Sequence, residues 1–302
     1  MTFKPPNAAR RLHAIGPVEE LSETLRLAFD PSTDFEPIPI PNPNDWLAMH
    51  LEPGQTFNDF FKLKPKRPNS FKCRIYLQPF GDFSKGRSPS IERLWAYAAA
   101  YFKMDVEVLS PLTLSDYQVT TRINPFTRKR QILTKDVLDL LRKRLPEDGF
   151  CILALTMEDL YPQPSWNFCF GQASLVHRVG VFSFARYDPA FFGGEQELNY
   201  QKILLWRSCK VLTHEAAHMF GLSHCIFFKC VINGSNHLEE SDARPMHLCP
   251  VCLRKLHFSI QFDVLDRYRQ LLLFYKTVRF EKEAQWVSNR LKNISHDLNP
   301  SF

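Results

Sequence analysis

Nineteen residues, LTHEAAHMFGLSHCIFFKC (Leu212–Cys230), gather three histidines, one glutamate, one glycine and two cysteines. On a helix, His214 and His218 share one face, one turn apart. That is the spacing at which two imidazoles hold one zinc ion while Glu215 projects beside it toward a water. Gly221 stands three residues after His218, where a helix can stop in a left-handed turn. Reversal there brings His224 back as a third nitrogen ligand. Zinc held this way polarises a scissile carbonyl and acidifies a water, and Glu215 can take that water's proton and return it to a leaving amine. The implied chemistry is hydrolysis of a peptide bond.

A second set of ligands follows without a gap. Cys225 and Cys230 precede Cys249 and Cys252, the latter two in the string CPVC. Two thiolate pairs bridged by a loop make a tetrahedral zinc site with no open position, which is structural. Because Cys225 directly follows His224, such a site would fix the segment that presents the third histidine. The other four cysteines, Cys73, Cys151, Cys169 and Cys209, stand singly. They read as small core hydrophobes in a reduced compartment.

These ligands need a frame. The first seventy residues are irregular and proline-rich, with a helix expected at Val18–Phe29 and another at Thr56–Lys62. This region reads as an arm over residues 1–70. From Arg74 the pattern becomes regular: RIYLQPF as a strand, IERLWAYAAAYF as a helix, MDVEVLSPLTL as a strand. A hairpin follows with NPFTRKR as its turn, then the helix KDVLDLLRKRLP, ended by Pro146. GFCILALTMEDLY reads as one buried strand, NFCFGQASL and VGVFSFARYD as two more, and Tyr200–Phe220 as the helix that carries the histidines. Strands alternating with helices predict an α/β fold with crossover helices. A catalytic domain is expected over 71–278, including the cysteine segment 225–252, and a C-terminal helix and tail over 279–302. QFDVLDRYRQLLLFYKTVRF is amphipathic and should pack on that domain, with a short last helix at EAQWVSNRLKNIS.

Composition narrows the function. The chain has 302 residues, 44% of them hydrophobic and 23% charged, ordinary values for a globular protein. No run of eighteen apolar residues exists, so no membrane span is expected. The start lacks the apolar stretch of a signal peptide, so a cytoplasmic or nuclear address is expected and secretion is not. The net charge of +6 is spread along the chain. The basic runs Lys62–Arg67 and Arg128–Arg130 read as solvated loops, and SNHLEESDARP in the cysteine loop carries three carboxylates and one Arg. A nucleic-acid-binding zinc module is therefore the weakest reading. A monomer acting on peptide is expected.

HEAAHMFGLSH is the metzincin signature H-E-x-x-H-x-x-G-x-x-H. With a cysteine immediately after it, then x4-C and a later C-x-x-C, the chain resembles the archaemetzincins. The likeness extends through SWNFCFGQASL, GVFSFARY, WRSCKVLTHE, NGSNHLEE and LCPVCLRKL, over roughly residues 147–275. It implies a zinc metallopeptidase with two zinc ions per chain, one on His214, His218 and His224, the other on Cys225, Cys230, Cys249 and Cys252. It also implies a metzincin-like domain with a twisted mixed sheet, an active-site helix and a C-terminal helical segment. One position departs from the pattern. The family usually has methionine two residues after the second cysteine, and this chain has Ile232. Isoleucine keeps the apolar bulk and lacks the flexible thioether, so a modest loss of rigidity is expected, with zinc retained.

In metzincins an edge strand ahead of the active-site helix pairs with extended peptide. Phe168–Ser174 is the candidate here, with contacts from Phe170, Gly171, Gln172 and Ala173. Gly171 would allow close approach of substrate backbone. GVFSFARY should cross the core, and Glu195–Asn199 is expected to border the cleft. Two functions remain open: a peptidase, aminopeptidase-like on short peptides, and a metzincin-fold zinc scaffold of weak activity, which Ile232 alone favours.

Overall fold

The computed structural model describes residues 2–83, 86–193 and 199–298. Along the chain come helices α1 (Ala8–Ile15), α2 (Glu23–Ala28), α3 (Trp46–Met49) and α4 (Phe57–Lys62), then strand β1 (Arg74–Phe80), helix α5 (Ile91–Phe102) and strands β2 (Asp105–Val108), β3 (Thr121–Ile123) and β4 (Arg130–Leu133). Helix α6 (Thr134–Arg144) leads to strands β5 (Gly149–Thr156), β6 (Asp159–Tyr161), β7 (Gly171–Ser174) and β8 (Val179–Ser183). Helices α7 (Tyr200–Met219), α8 (Leu238–Ala243), α9 (Pro250–Ile260), α10 (Val264–Thr277) and α11 (Glu281–Leu298) complete it. The chain forms two compact units, Pro68–Ala99 with Lys103–Met219, and Met1–Arg67 with Ala100–Phe102 and Phe220–Phe302. Among the described residues, no helix is long and apolar enough to cross a membrane.

The first of these units is the α/β layer that the alternating pattern predicts. Its five-stranded sheet runs β2-β1-β5-β8-β7. The first four strands are parallel, and β7 turns back antiparallel to β8 at the edge. All eight residues of β5 are buried, as a strand covered on both faces requires. Its Ile152 and Ala154 join Val179 and Val181 of β8 and Val137, Leu138 and Leu141 of α6 in one core. The expected strand Gly149–Tyr161 is broken in two. The Glu158 amide bonds back to Thr156 Oγ1 at 3.0 Å, and the chain then joins β4 in a separate sheet of order β3-β4-β6. The β3-β4 hairpin is capped as predicted by NPFTRKR, with Asn124 Oδ1 accepting from the Phe126 and Thr127 amides at 2.9 Å.

The second unit combines the proline-rich segment with the C-terminal helices. The expected helix Val18–Phe29 is shorter, and another precedes it. Asn7 caps α1 by accepting from the Arg10 amide, Gly16 ends it at φ +76°, and Pro17 cannot continue it. Ser22 then starts α2 by accepting from the Leu25 amide. Helix α4 begins with a reciprocal Thr56–Asp59 capping box, and bonds from Thr56 hold the Asp59 carboxyl below its usual range. An irregular segment has backbone carbonyls that no ladder satisfies. Buried cations do it here. Arg254 bonds to the Ile15 carbonyl and Lys255 to the Gln55 carbonyl. Arg290 reaches the Leu27 and Ala28 carbonyls at 2.7 and 2.9 Å.

A buried ion pair braces the chain ahead of β7. Arg186 Nε and Nη2 donate to Asp159 Oδ1 and Oδ2, each at 2.8 Å, with side chains 7% and 1% exposed. The same guanidinium lies 3.7 Å from the Phe168 ring centroid. Replacing Arg186 with methionine strands a buried carboxylate and should cost about 3–5 kcal/mol of folding free energy, measured by urea denaturation. A loss below about 1 kcal/mol would contradict this account of the pair.

Candidate active site

Helix α7 is buried along most of its length, including His214, and so presents a rigid platform. Thr213 Oγ1 donates to the Tyr97 hydroxyl at 2.9 Å, which sets the helix's rotation next to the histidine. The rings of His214 and His218 meet edge to face with centroids 4.7 Å apart, as the one-turn spacing predicts. The carboxyl of Glu215 lies against Gly171 of β7. A Cβ at Gly171 would stand 2.9 Å from Glu215 Cδ and Oε1 and 3.0 Å from Phe182 Cβ. Glycine is needed there because the strand backbone passes beside the glutamate.

The helix ends at Met219, and Gly221 takes φ +86°, the left-handed turn the sequence anticipates. Gln55 holds the turn from both sides. Its Nε2 donates to the Gly221 carbonyl at 3.1 Å, and its Oε1 accepts from the Ser223 amide at 3.1 Å. Lys255, itself 1% exposed, donates to Gln55 Oε1 at 3.0 Å. His224 follows, its Nδ1 2.8 Å from Glu52 Oε1. His214 and His218 thus stand one turn apart on α7, and His224 follows five residues after its last residue, Met219. Three imidazoles are a donor set that suits zinc, with bonds of about 2.0–2.1 Å.

The four cysteines are buried and free of disulfides, with their sulfurs within 4.8 Å of one another. Cys225 Sγ and Cys249 Sγ are 3.5 Å apart, near the roughly 3.8 Å edge of a tetrahedron with 2.3 Å zinc–sulfur bonds. Cys249 caps α9, Pro250 opens it, and Cys252 lies in its first turn, where the helix dipole favours thiolate. Sequence reading assigned no helix to this segment. Asn233 closes the preceding loop, accepting from the Cys230 amide at 2.7 Å and donating to the carbonyls of Cys225 and Phe228 at 2.7 and 3.0 Å. Burial opposes ionisation of Cys225, yet hydrogen bonds from the other three thiols outweigh it and hold Cys225 well below its ordinary pKa. Burial and the hydrogen bonds to its neighbours push Cys249 well up, and bonds to Cys225 and Cys230 do the same for Cys252. Ile232 is fully buried, and its carbonyl accepts from the Cys225 amide at 3.0 Å.

Strand β7 lies at the sheet edge, and β8, all five residues buried, crosses the core. Phe170 and Ser174 carbonyls accept from Ser183 and Arg178 of the β8 side. By antiparallel alternation, the N–H and C=O of Gly171 and Ala173 then face away from β8. Phe170 stacks on Tyr187 with centroids 5.0 Å apart, and the Gln172 side chain accepts from Thr134 Oγ1. Cys169 precedes them. Burial, then the charges of Glu215 and Asp159, push its thiol far up, which keeps it neutral beside the glutamate. Of the loop Glu195–Asn199, residues 195–198 lie outside the described residues. Sequence reading missed Trp46, Glu52 and Gln55. They stand in a proline-rich stretch with no periodicity, about 170 residues before the turn they serve, and only their polar and aromatic types in an otherwise irregular run could have drawn notice.

A model of peptidase family M54 matches residues 119–258. Archaemetzincin-2 of Macaca fascicularis is 43% identical over 274 residues, 81% of this chain and 76% of that protein. Archaemetzincin-2 of Homo sapiens is 42% identical with the same coverage. The crystal structure of an archaemetzincin from Archaeoglobus fulgidus, complexed with malonate, is 26% identical with a TM-score of 0.45, covering 60% of this chain and 99% of that one.

The Gly171–Glu215 contact gives a direct test. Gly171 has no positive φ, so Gly171→Ala strains no backbone angle and acts by displacing the glutamate carboxyl, with a shift of a few tenths of an ångström against Phe182 Cβ. Peptide turnover should fall about 10- to 100-fold while the melting temperature stays within a few degrees. Unchanged kcat would show that the carboxyl's position does not matter.

Proposed function

Because this chain belongs to the archaemetzincins and is a zinc metallopeptidase, we propose that His214, His218 and His224 hold its catalytic zinc and that Glu215 is its general base. The observation that carries this assignment is the pairing of His214 and His218 on a helix whose Glu215 borders an edge strand, with His224 just after the left-handed turn at Gly221. Zinc at that position supplies a Lewis acid and lowers the pKa of a water toward 7. Glu215 accepts the proton from the attacking water and donates it to the departing amine. An extended peptide adds to β7, pairing with the outward N–H and C=O of Gly171 and Ala173, so that its backbone runs beside Glu215. Phe170 and Gln172 flank that register.

A second zinc belongs to Cys225, Cys230, Cys249 and Cys252. Four sulfur ligands leave no position for substrate, so this ion's role is to fix the segment that begins one residue after His224. Ile232 is compatible with both sites, since its contribution is buried apolar volume and a backbone carbonyl.

Wild-type protein should hold two zinc ions and cleave peptides, and Glu215→Gln should keep both ions while kcat falls about 10²- to 10⁴-fold. Retained turnover in that variant would overturn the assignment of the base. A chelator should abolish turnover, and added zinc should restore it. Cys249→Ser should lose one zinc with a marked drop in melting temperature; an unchanged zinc count would overturn the structural site. Running the same peptide with a free and an acetylated amino terminus separates amino-terminal trimming from internal cleavage.

A further inference from the structure

His214 and His218 are fixed by a buried helix, whereas His224 comes from a turn. We propose that Glu52 is the positioning residue for His224. Its carboxylate accepts the Nδ1 proton and so fixes Nε2 as the nitrogen offered to the catalytic zinc. The inference rests on the reading of His224 as a zinc ligand.

An imidazole offers a metal whichever nitrogen lacks a proton, and the bond made by the other nitrogen decides which that is. An ionised carboxylate only accepts. With Glu52 Oε1 2.8 Å from Nδ1, the proton sits on Nδ1 and the lone pair on Nε2. The carboxylate also makes the ring more basic, and therefore a tighter ligand.

Glu52 is itself oriented. Trp46 Nε1, which can only donate, gives its hydrogen to the same Oε1 at 2.8 Å. The Trp46 ring meets His224 edge to face with centroids 5.1 Å apart. That ring packs on Gly234, where a Cβ would come within 2.4 Å of it, and the Trp46 amide donates to Glu240 Oε1 at 2.8 Å. Trp46 is thus held by backbone and by ring face. Side chains of His224 and Glu52 are 20% and 22% exposed, so the pair is largely shielded from competing water. Glu52 lies outside residues 119–258, the segment matched by the family model.

The test is zinc affinity in the full-length chain, measured by competition with a chelator of known affinity. Zinc at the four cysteines serves as the internal control for folding. Glu52→Gln keeps the shape and loses the charge, and should weaken the histidine-bound zinc about tenfold; Glu52→Ala should weaken it up to about 100-fold. Trp46→Phe, which removes the donor to Glu52, should give a smaller loss. With cobalt in place of zinc, the visible absorption of the histidine site should shift in Glu52→Ala. Should Glu52→Ala fail to fold, Glu52→Gln decides alone. Wild-type affinity and an unchanged cobalt spectrum in a folded Glu52 variant would overturn the proposal. Two zinc ions still bound after His214→Ala with His218→Ala would instead overturn the histidine site itself, and this inference with it.

Discussion

A helix that carries two histidines one turn apart has brought them as far as its geometry allows. Continued straight, α7 would set His224 about 9 Å beyond His218 along its axis, out of reach of a shared ion. The chain must therefore stop and reverse within a few residues, and much of the second unit is organised around that reversal. Gly221 supplies the backbone angle, at φ +86°, but an angle alone does not hold a turn in place. Gln55 supplies the grip, bonding to the residues on either side of Leu222, and Lys255 of α9 grips Gln55 in turn. The same α9 begins with two of the four cysteines. Turn, clamp and cysteine cluster are neighbouring parts of one arrangement within that unit.

The arrangement uses charge where a larger domain would use a ladder. The proline-rich segment cannot form long helices or central strands, so its carbonyls need donors from elsewhere. Long cationic side chains suit this, because they reach from a helix and donate several hydrogens from one group. Hydrogen bonds to charged donors are worth about 1.5–3 kcal/mol each, more than neutral ones, which offsets part of the cost of burying the charge. Arg254 and Arg290 add ring contacts, 3.9 Å from Phe57 and 4.7 Å from Phe35. An irregular segment becomes a fixed one by this route.

What the sequence reveals depends on how far apart the interacting residues lie. The strand Arg74–Phe80, the helix Ile91–Phe102 and the helix beginning at Tyr200 were legible to the residue, because periodicity and caps are local. So were the one-turn spacing of His214 and His218 and the turn at Gly221. The break at Glu158 was not, although the polar residues Thr156, Glu158 and Asp159 interrupt the apolar run there, because nothing local says that the chain changes sheet. Helix α9 was hidden because CPVC was read for its sulfurs, although proline at its first position is a helix-start signal. The roles of Trp46, Glu52 and Gln55 had no local signature. Their partners are far along the chain, and only the folded structure brings them together.

Ribosomes deliver a chain in one direction, and the second unit is made from both ends of this one. Residues 68–99 and 103–219 can pack as soon as they have emerged, but Met1–Arg67 must wait for residues beyond 220. At about 5–20 residues per second, those 150 or so residues take roughly 8 to 30 s to appear. During that interval the proline-rich segment has no carbonyl donors and its aromatic side chains have no core. Its resistance to forming regular strands then has a second value, since a segment that cannot join a sheet edge is a poor seed for aggregation while it waits. The unit that completes last incorporates a segment made well before it.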